Sequence, residues 1–169
     1  MDTVRIVDRK TRRIVDAEVV ANISRSELKG IDHLWVGWRA DLTQKEMLPE
    51  NHDWRWERKG LDLDADSFRF LGIRYLGEIQ GLAMLNMDSI ASQRPGCSGQ
   101  RMLYVEYLEA APWNQEAYAG TDKRYGLIGM ALLCALIMVS ADAGCEGRIA
   151  LHSLPQAEGF YRLNFYDLG

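Results

Sequence analysis

Residues 124 to 133, RYGLIGMALL, place an arginine and two glycines directly ahead of a strongly apolar run. Glycine starts helices poorly, so its place at a helix entrance asks for a reason. One reason is a loop turning into a core helix. The other is an anion cradle. The first turn of a helix carries N–H groups without intrahelical partners and the positive end of the helix dipole, and a residue without Cβ lets a phosphate approach the backbone. Arg124 and Lys123 would add charge at that mouth. Upstream, MLYVEYLEA (102–110) sets Glu106 in an otherwise apolar strand, where an ionised carboxylate is costly unless it is paired or faces a wet cleft. Glu106 is therefore a candidate general base, directly or through water. Glu109 is the second candidate; on a regular strand it points to the opposite face, and a bulge would change which of the two points inward. A structural ion pair is the competing role for both.

Other chemistries find less support. No P-loop lysine with Ser/Thr and no GxGxxG is present, which counts against nucleoside triphosphates and dinucleotides. His33, His52 and His152 are scattered without metal-ligand spacing, so no metal is expected and the three read as structural or surface residues. Cys145 follows Gly144 at a helix end, where the dipole disfavours a thiolate, and no Ser-His-Asp or Cys-His motif stands behind a nucleophile.

The elements that must position these residues follow from periodicity and turn chemistry. VRIVDRKTRRIV (4–15) reads as an opening strand or hairpin. From Ser24 a helix places Leu28, Ile31, Leu34, Trp35 and Trp38 on one apolar face, and a second short helix is expected over Thr43 to Lys59, bent at Pro49. Residues 68–87 form a hairpin turning at Leu76-Gly77, RPGCSGQ (94–100) is a second turn, and 102–110 is a central strand. APWNQEAYAGTDK is a loop, 124–143 a long helix, RIALHS a buried strand, LPQAEGFYRL a short helix and NFYDLG a final strand. The crossover from 102–110 through the long helix to 148–152 makes a βαβ unit with parallel strands. The fold class is α/β in the mixed sense: a mostly antiparallel sheet with helices on both faces. With no repeat or linker visible, 1–169 is one domain.

Composition bounds the setting. A net charge of -4 with a pI near 5.4 gives no general pull toward nucleic acid. The N-terminus lacks the apolar core of a signal peptide, and the longest apolar run is about thirteen residues, short of the ~20 a bilayer crossing needs. Three cysteines without metal spacing, one of them Cys134 inside the apolar run and so expected to be buried, suggest a reducing, cytoplasmic compartment.

RYGLIGMALL followed by GCEGRIALHSLPQAEGFYRLNF resembles the acyl-CoA-binding core of the GNAT superfamily of acyl-CoA-dependent N-acyltransferases. The family motif puts Arg124 and Gly129 in register and sets Leu127 where its first glycine stands, with Gly126 one place earlier. Ala157, Phe160, Tyr161 and Asn164-Phe165 follow in the family's order, the spacing one residue short and Asn in place of Gly. Leu154 stands nearest the position where the family often has Asn. The resemblance covers residues 68 to 165. It implies an acetyl-CoA-dependent N-acetyltransferase acting by direct attack of an amine in a ternary complex, with no covalent intermediate. It further implies that backbone amides of Tyr125, Gly126, Leu127, Ile128, Gly129 and Met130, with Arg124, grip the diphosphate of acetyl-CoA. Ala110 and Ala111, just before Pro112, would hold the thioester carbonyl through their N–H groups, and Tyr161 would be the general acid. Trp113 and the loop after it would either lid the site or pack on the sheet, and Trp35, Trp38, Trp54 and Trp56 would build the acceptor wall or the core. The acceptor is open between a small amine, a protein lysine or N-terminus, and an aminoacyl-tRNA. Leu127 and the missing Asn favour a rival reading as a catalytically inactive acyl-CoA-binding module, and an unrelated mixed α/β binding domain with no affinity for CoA is a third. An open sheet edge would invite a homodimer by strand addition.

Overall fold

The computed structural model describes residues 2–40, 49–59, 61, 67–93 and 96–164. Among the described residues, seven strands form one sheet in the order β6-β1-β2-β3-β4-β5-β7, antiparallel throughout except for the parallel pair β5/β7. The first hairpin joins β1 (Thr3–Asp8) to β2 (Arg13–Ala21), and the second joins β3 (Phe68–Tyr75) to β4 (Glu78–Ala91). The second turn is where it was expected: Leu76 (φ 50) and Gly77 (φ 81) are both left-handed, which matches the twist of the flanking strands. β5 (Arg101–Ala110) lies one strand in from the edge strand β7 (Ile149–Leu151), which is half-buried rather than buried. The expected final strand from Asn164 falls almost wholly outside the described residues, as does the start of the helix expected from Thr43.

Helix α1 (Arg25–Ala40) covers one face. Its entrance is a capping box: the Ser24 N–H donates to Glu27 Oε2 at 2.9 Å and the Glu27 N–H to Ser24 Oγ at 3.3 Å. Leu28 and Trp35 are buried on it, whereas Leu34, expected on the same face, is 41% exposed. Trp35, Trp56 and Trp113 meet edge to face beneath α1 and form the second core with Leu82 and Met84. Short helix α2 (Trp56–Lys59) is pinned to α1 because Asp32 accepts the backbone N–H groups of Trp56 and Glu57 at 2.8 and 2.7 Å.

The opposite face carries α4 (Ile128–Ser140), which continues as one wide turn to Cys145. The 18 residues from Ile128 to Cys145 would suffice by length and composition to cross a membrane. Ala131, Leu132, Ala135 and Leu136 are instead buried against the sheet as the main core. Gly81 lets the helix come this close, since a Cβ there would lie 2.6 Å from Ile128 Cγ2. Cys134 faces solvent, contrary to expectation, because it lies on the side of α4 away from the sheet; Cys145 is the buried thiol. Between β5 and α4 the expected loop contains a turn of 3-10 helix (112–114), α3 (Glu116–Ala119) and a two-residue strand, β6 (Tyr125–Gly126). The long helix therefore begins at Ile128 and not at 124, because Tyr125 and Gly126 pair with Asp8 and Val7 of β1. The described residues close with a 3-10 turn (155–157) and α5 (Glu158–Asn164).

Candidate active site

The ladder between β5 and β7 ends at Val105↔Leu151, while β5 runs on to Ala110. A wedge opens where β7 leaves. It forms part of a cavity of about 770 Å³ that extends from the first turn of α4 past Glu106 and His152 to Tyr161.

The α4 end is an uncapped helix entrance. Leu127 sits at the cap with φ 65 and no side-chain cap bond, and the first intrahelical bond runs from Ala131 N–H to Leu127 O at 2.8 Å. The N–H groups of Ile128, Gly129 and Met130 thus precede the intrahelical ladder and border the cavity. Arg9 and Lys123 line the same end. Arg9, on the turn between β1 and β2, became visible only through the pairing that brings Asp8 beside Tyr125. Arg124 is a correction: its guanidinium stacks on Trp38 and Trp113, 4.9 and 5.1 Å from the ring centroids, and pairs with Glu78 at 3.5 Å, so it is not part of the cavity wall. The two glycines also serve neighbours other than a phosphate. A Cβ on Gly129 would lie 3.3 Å from Phe160 Cζ, and one on Gly126 would lie 3.4 Å from Arg9 Nε.

Leu127 explains the motif position better than either glycine does. A left-handed φ in a residue with a Cβ costs about 1–2 kcal/mol, and its side chain, 57% exposed, recovers little of that by burial. Leu127→Gly relieves the strain but adds glycine's unfolded-state freedom, about 0.5–1 kcal/mol. Its stability, read by urea denaturation, should therefore stay within about 1 kcal/mol of the parent.

At the wedge, a bulge decides the carboxylates. Met84 pairs with Tyr107 and Leu85 with Val105, which leaves Glu106 as the extra residue. Glu106 and Glu109 therefore both project to the α1 side. Glu106 lines the cavity, half-buried, and accepts Asn86 Nδ2 at 3.4 Å. Glu109 is withdrawn as a base. It is 3% exposed and bound on all sides, by Arg39 at 2.5 Å, Asn51 Nδ2 at 2.7 Å, Trp56 Nε1 at 2.8 Å and Gln115 Nε2 at 3.3 Å. Burial pushes its carboxyl up; the guanidinium and the neutral donors act against that. Its role is to tie α1, the 51–56 segment and β5 together.

The backbone of β5 supplies donors, though one was misplaced. Ala111 is fully buried and gives its N–H to Gln80 O at 2.9 Å, so it cannot serve a ligand. By the alternation of the antiparallel ladder, the backbone groups of Ala110 and Leu108 face away from β4, toward the wedge. Ala110 O accordingly accepts Gln115 Nε2 at 2.6 Å. Leu108 is the donor that sequence reasoning missed, because the bulge resets which residues face outward. Tyr161, on α5, packs against the α4-side core and borders the cavity; burial pushes its hydroxyl up to about 12. Trp113 is 1% exposed and packed, its Nε1 donating to Gln80 Oε1 at 2.8 Å; it is no lid. Trp54 lines the cavity and Trp56 is buried; the Lys59 ammonium lies 4.3 Å from the Trp54 ring and 3.1 Å from that of Tyr107, and burial pushes it down to about 8. Among the described residues no cluster of three potential metal ligands occurs.

Solved structures share this architecture. A Trypanosoma brucei acetyltransferase is 20% identical, with a TM-score of 0.52 over 91% of this chain and 95% of its own. An aminoglycoside N-acetyltransferase in complex with CoA is 15% identical, with a TM-score of 0.53 over 89% and 90%. A ribosomal-protein-alanine N-acetyltransferase from Brucella melitensis is 14% identical, with a TM-score of 0.53 over 89% and 92%. The chain has the GNAT fold. No protein-family profile and no curated protein matches the sequence. In this chain the gap between β5 and β7 and the uncapped entrance of α4 lie along one cavity, which joins most of the residues singled out from the sequence.

Proposed function

We propose that the chain is an acetyl-CoA-dependent N-acetyltransferase that acts on a primary amine by direct attack in a ternary complex. One observation carries the reading: a single cavity connects the free N–H groups at the α4 entrance with Glu106 on one face of the wedge and Tyr161 on the other. The diphosphate of acetyl-CoA would rest on Ile128, Gly129 and Met130, with Arg9 and Lys123 adjacent. The thioester would lie in the wedge with its carbonyl oxygen toward the Leu108 and Ala110 amides. The amine enters from the α1 side and its nitrogen bonds to the carbonyl carbon. Glu106 takes a proton from nitrogen, the carbon–sulfur bond breaks, and Tyr161 protonates the sulfur. With its hydroxyl pushed up to about 12, Tyr161 keeps its proton through the neutral range and gives it up only as the sulfur gains full charge.

The test is release of free CoA thiol from acetyl-CoA across a panel of amines that includes a polyamine, a lysine peptide, a peptide with a free N-terminus and an aminoacyl-tRNA. Tyr161→Phe should lower kcat about 10²–10³-fold, and full turnover by that variant would remove Tyr161 from the mechanism. No basic limb below about pH 10 should trace to Tyr161, since its folded value lies above that of a free phenol. Glu106→Gln should lower kcat about 10²–10⁴-fold with the same amine. The strained, exposed Leu127 at the anion end favours a second reading, an acyl-CoA-binding module without turnover; it predicts CoA binding by calorimetry and no thiol release with any amine. The proposal includes a cytoplasmic setting, resting on the free thiols of Cys97, Cys134 and Cys145. It also includes a homodimer joined at the edge strand β7, which a monomeric mass by light scattering would contradict.

A further inference from the structure

The amine side of the wedge holds a polar pair that this reading has not used. Tyr104 faces Ala150 across the parallel ladder, and the next residue on that face of β7 is His152, one step past the last ladder pair. There the Tyr104 hydroxyl and His152 Nδ1 hydrogen-bond, and the two rings meet at 5.7 Å and 60°. Glu106 lies two residues farther along β5, on the same side of the sheet by the strand's alternation. His152 borders the cavity and is also open to solvent. Tyr161 has no such position, since it packs among the core residues of the other face. An amine at neutral pH arrives as an ammonium and must lose one proton before it can attack and a second as the amide forms. Glu106 accounts for only one of these.

We propose that His152 takes the first proton from the acceptor ammonium and hands it to bulk water, with Tyr104 as the positioning residue that fixes the ring. The inference rests on the transferase reading. In the tautomer this role requires, Nδ1–H donates to the Tyr104 oxygen, which leaves the Nε2 lone pair to accept the ammonium proton. The neutral amine then attacks; the nitrogen–carbon bond forms, Glu106 takes the second proton, the carbon–sulfur bond breaks and the sulfur receives the Tyr161 proton. The imidazolium releases its proton to water, and the proton on Glu106 replaces the one Tyr161 lost. The sum is ammonium plus acetyl-CoA giving amide, CoA thiol and one proton. Tyr104 touches the imidazole directly, and Glu106, Tyr107 and Tyr161 are among the titratable groups that share the cavity wall with it; burial and the Glu106 charge keep Tyr104 protonated. The arrangement selects acceptors that are cationic at neutral pH, and aliphatic primary amines above all.

The experiment measures thiol release by the full chain from pH 6 to 9, with the most active amine of the panel above. His152→Gln should lose about tenfold or more around pH 7–8, where the acceptor is still an ammonium and an imidazole can still take its proton, and recover toward the parent rate at higher pH as the amine deprotonates itself, and added imidazole should restore part of the loss. Tyr104→Phe should show a smaller deficit of the same shape, with the KM for acetyl-CoA unchanged. A His152→Gln profile parallel to that of the parent at every pH, or no response to imidazole, overturns the proposal. His152→Asn serves as the second variant should the first fail to fold. If the parent protein releases no thiol with any amine, the transferase reading falls and this inference with it. If the parent turns over and His152→Gln equals it, this inference alone falls.

Discussion

Glu109→Ala is expected to destabilise the protein by about 3–5 kcal/mol, because it strands the Arg39 guanidinium in a site with almost no access to water. Against a total of about 5–15 kcal/mol for an ordinary domain, that loss leaves a chain partly unfolded at 37 °C. The size follows from the partners. Glu109 closes contacts with α1 through Arg39, with the 51–56 segment through Asn51 and Trp56, and with the start of α3 through Gln115. Removing it leaves a buried charge and several buried donors unmatched at once. Arg39→Ala should cost a similar amount for the mirror reason, whereas Arg39→Met combined with Glu109→Leu should recover only part of the loss: an apolar pair needs no charge compensation, but Asn51, Trp56 and Gln115 still lose their acceptor. Urea denaturation of the four proteins checks this. Additive losses in the double variant would show that the pair acts through something other than mutual compensation.

Leu127→Asp should separate stability from ligand binding. The side chain is exposed, aspartate tolerates a left-handed φ better than leucine does, and a negative charge beside a helix N-terminus is favourable, so the melting temperature should hold or rise. A bound diphosphate would meet that same charge at close range. Repulsion of about 2–3 kcal/mol in a partly solvated site corresponds to a dissociation constant for CoA raised about a hundredfold. The loss should shrink at high salt. Unchanged affinity in Leu127→Asp would mean that the diphosphate lies elsewhere.

Local patterns carried the sequence reading a long way. Branched residues around a charged turn marked the first hairpin, Leu76-Gly77 marked the turn of the second, and the apolar run from Ile128 marked α4. The parallel β5/β7 pair followed from connectivity alone. The misreadings share a cause, which is dependence on partners remote in sequence. Tyr125 and Gly126 look like helix until β1 is there to pair with them, and Arg124 looks like an anion ligand until Trp38 and Trp113 arrive beneath it. Glu109 resembles a reactive carboxylate until Arg39, seventy positions earlier, neutralises it. The bulge at Glu106 is equally silent in the sequence, yet it puts both glutamates on one side and exchanges Ala111 for Leu108 as a donor. His152 carried no motif at all; only the ladder that aligns β7 with β5 reveals its partner, Tyr104.

The proposed transferase reaction depends most on where CoA would bind. Titrating the isotopically labelled protein with CoA while following backbone amide resonances tests that directly. The expected result is saturable one-to-one binding, with the largest shifts at Ile128, Gly129 and Met130 and a second group at Leu108 and Ala110. Saturable binding that leaves the α4 entrance unshifted, or no binding at millimolar CoA, would contradict it.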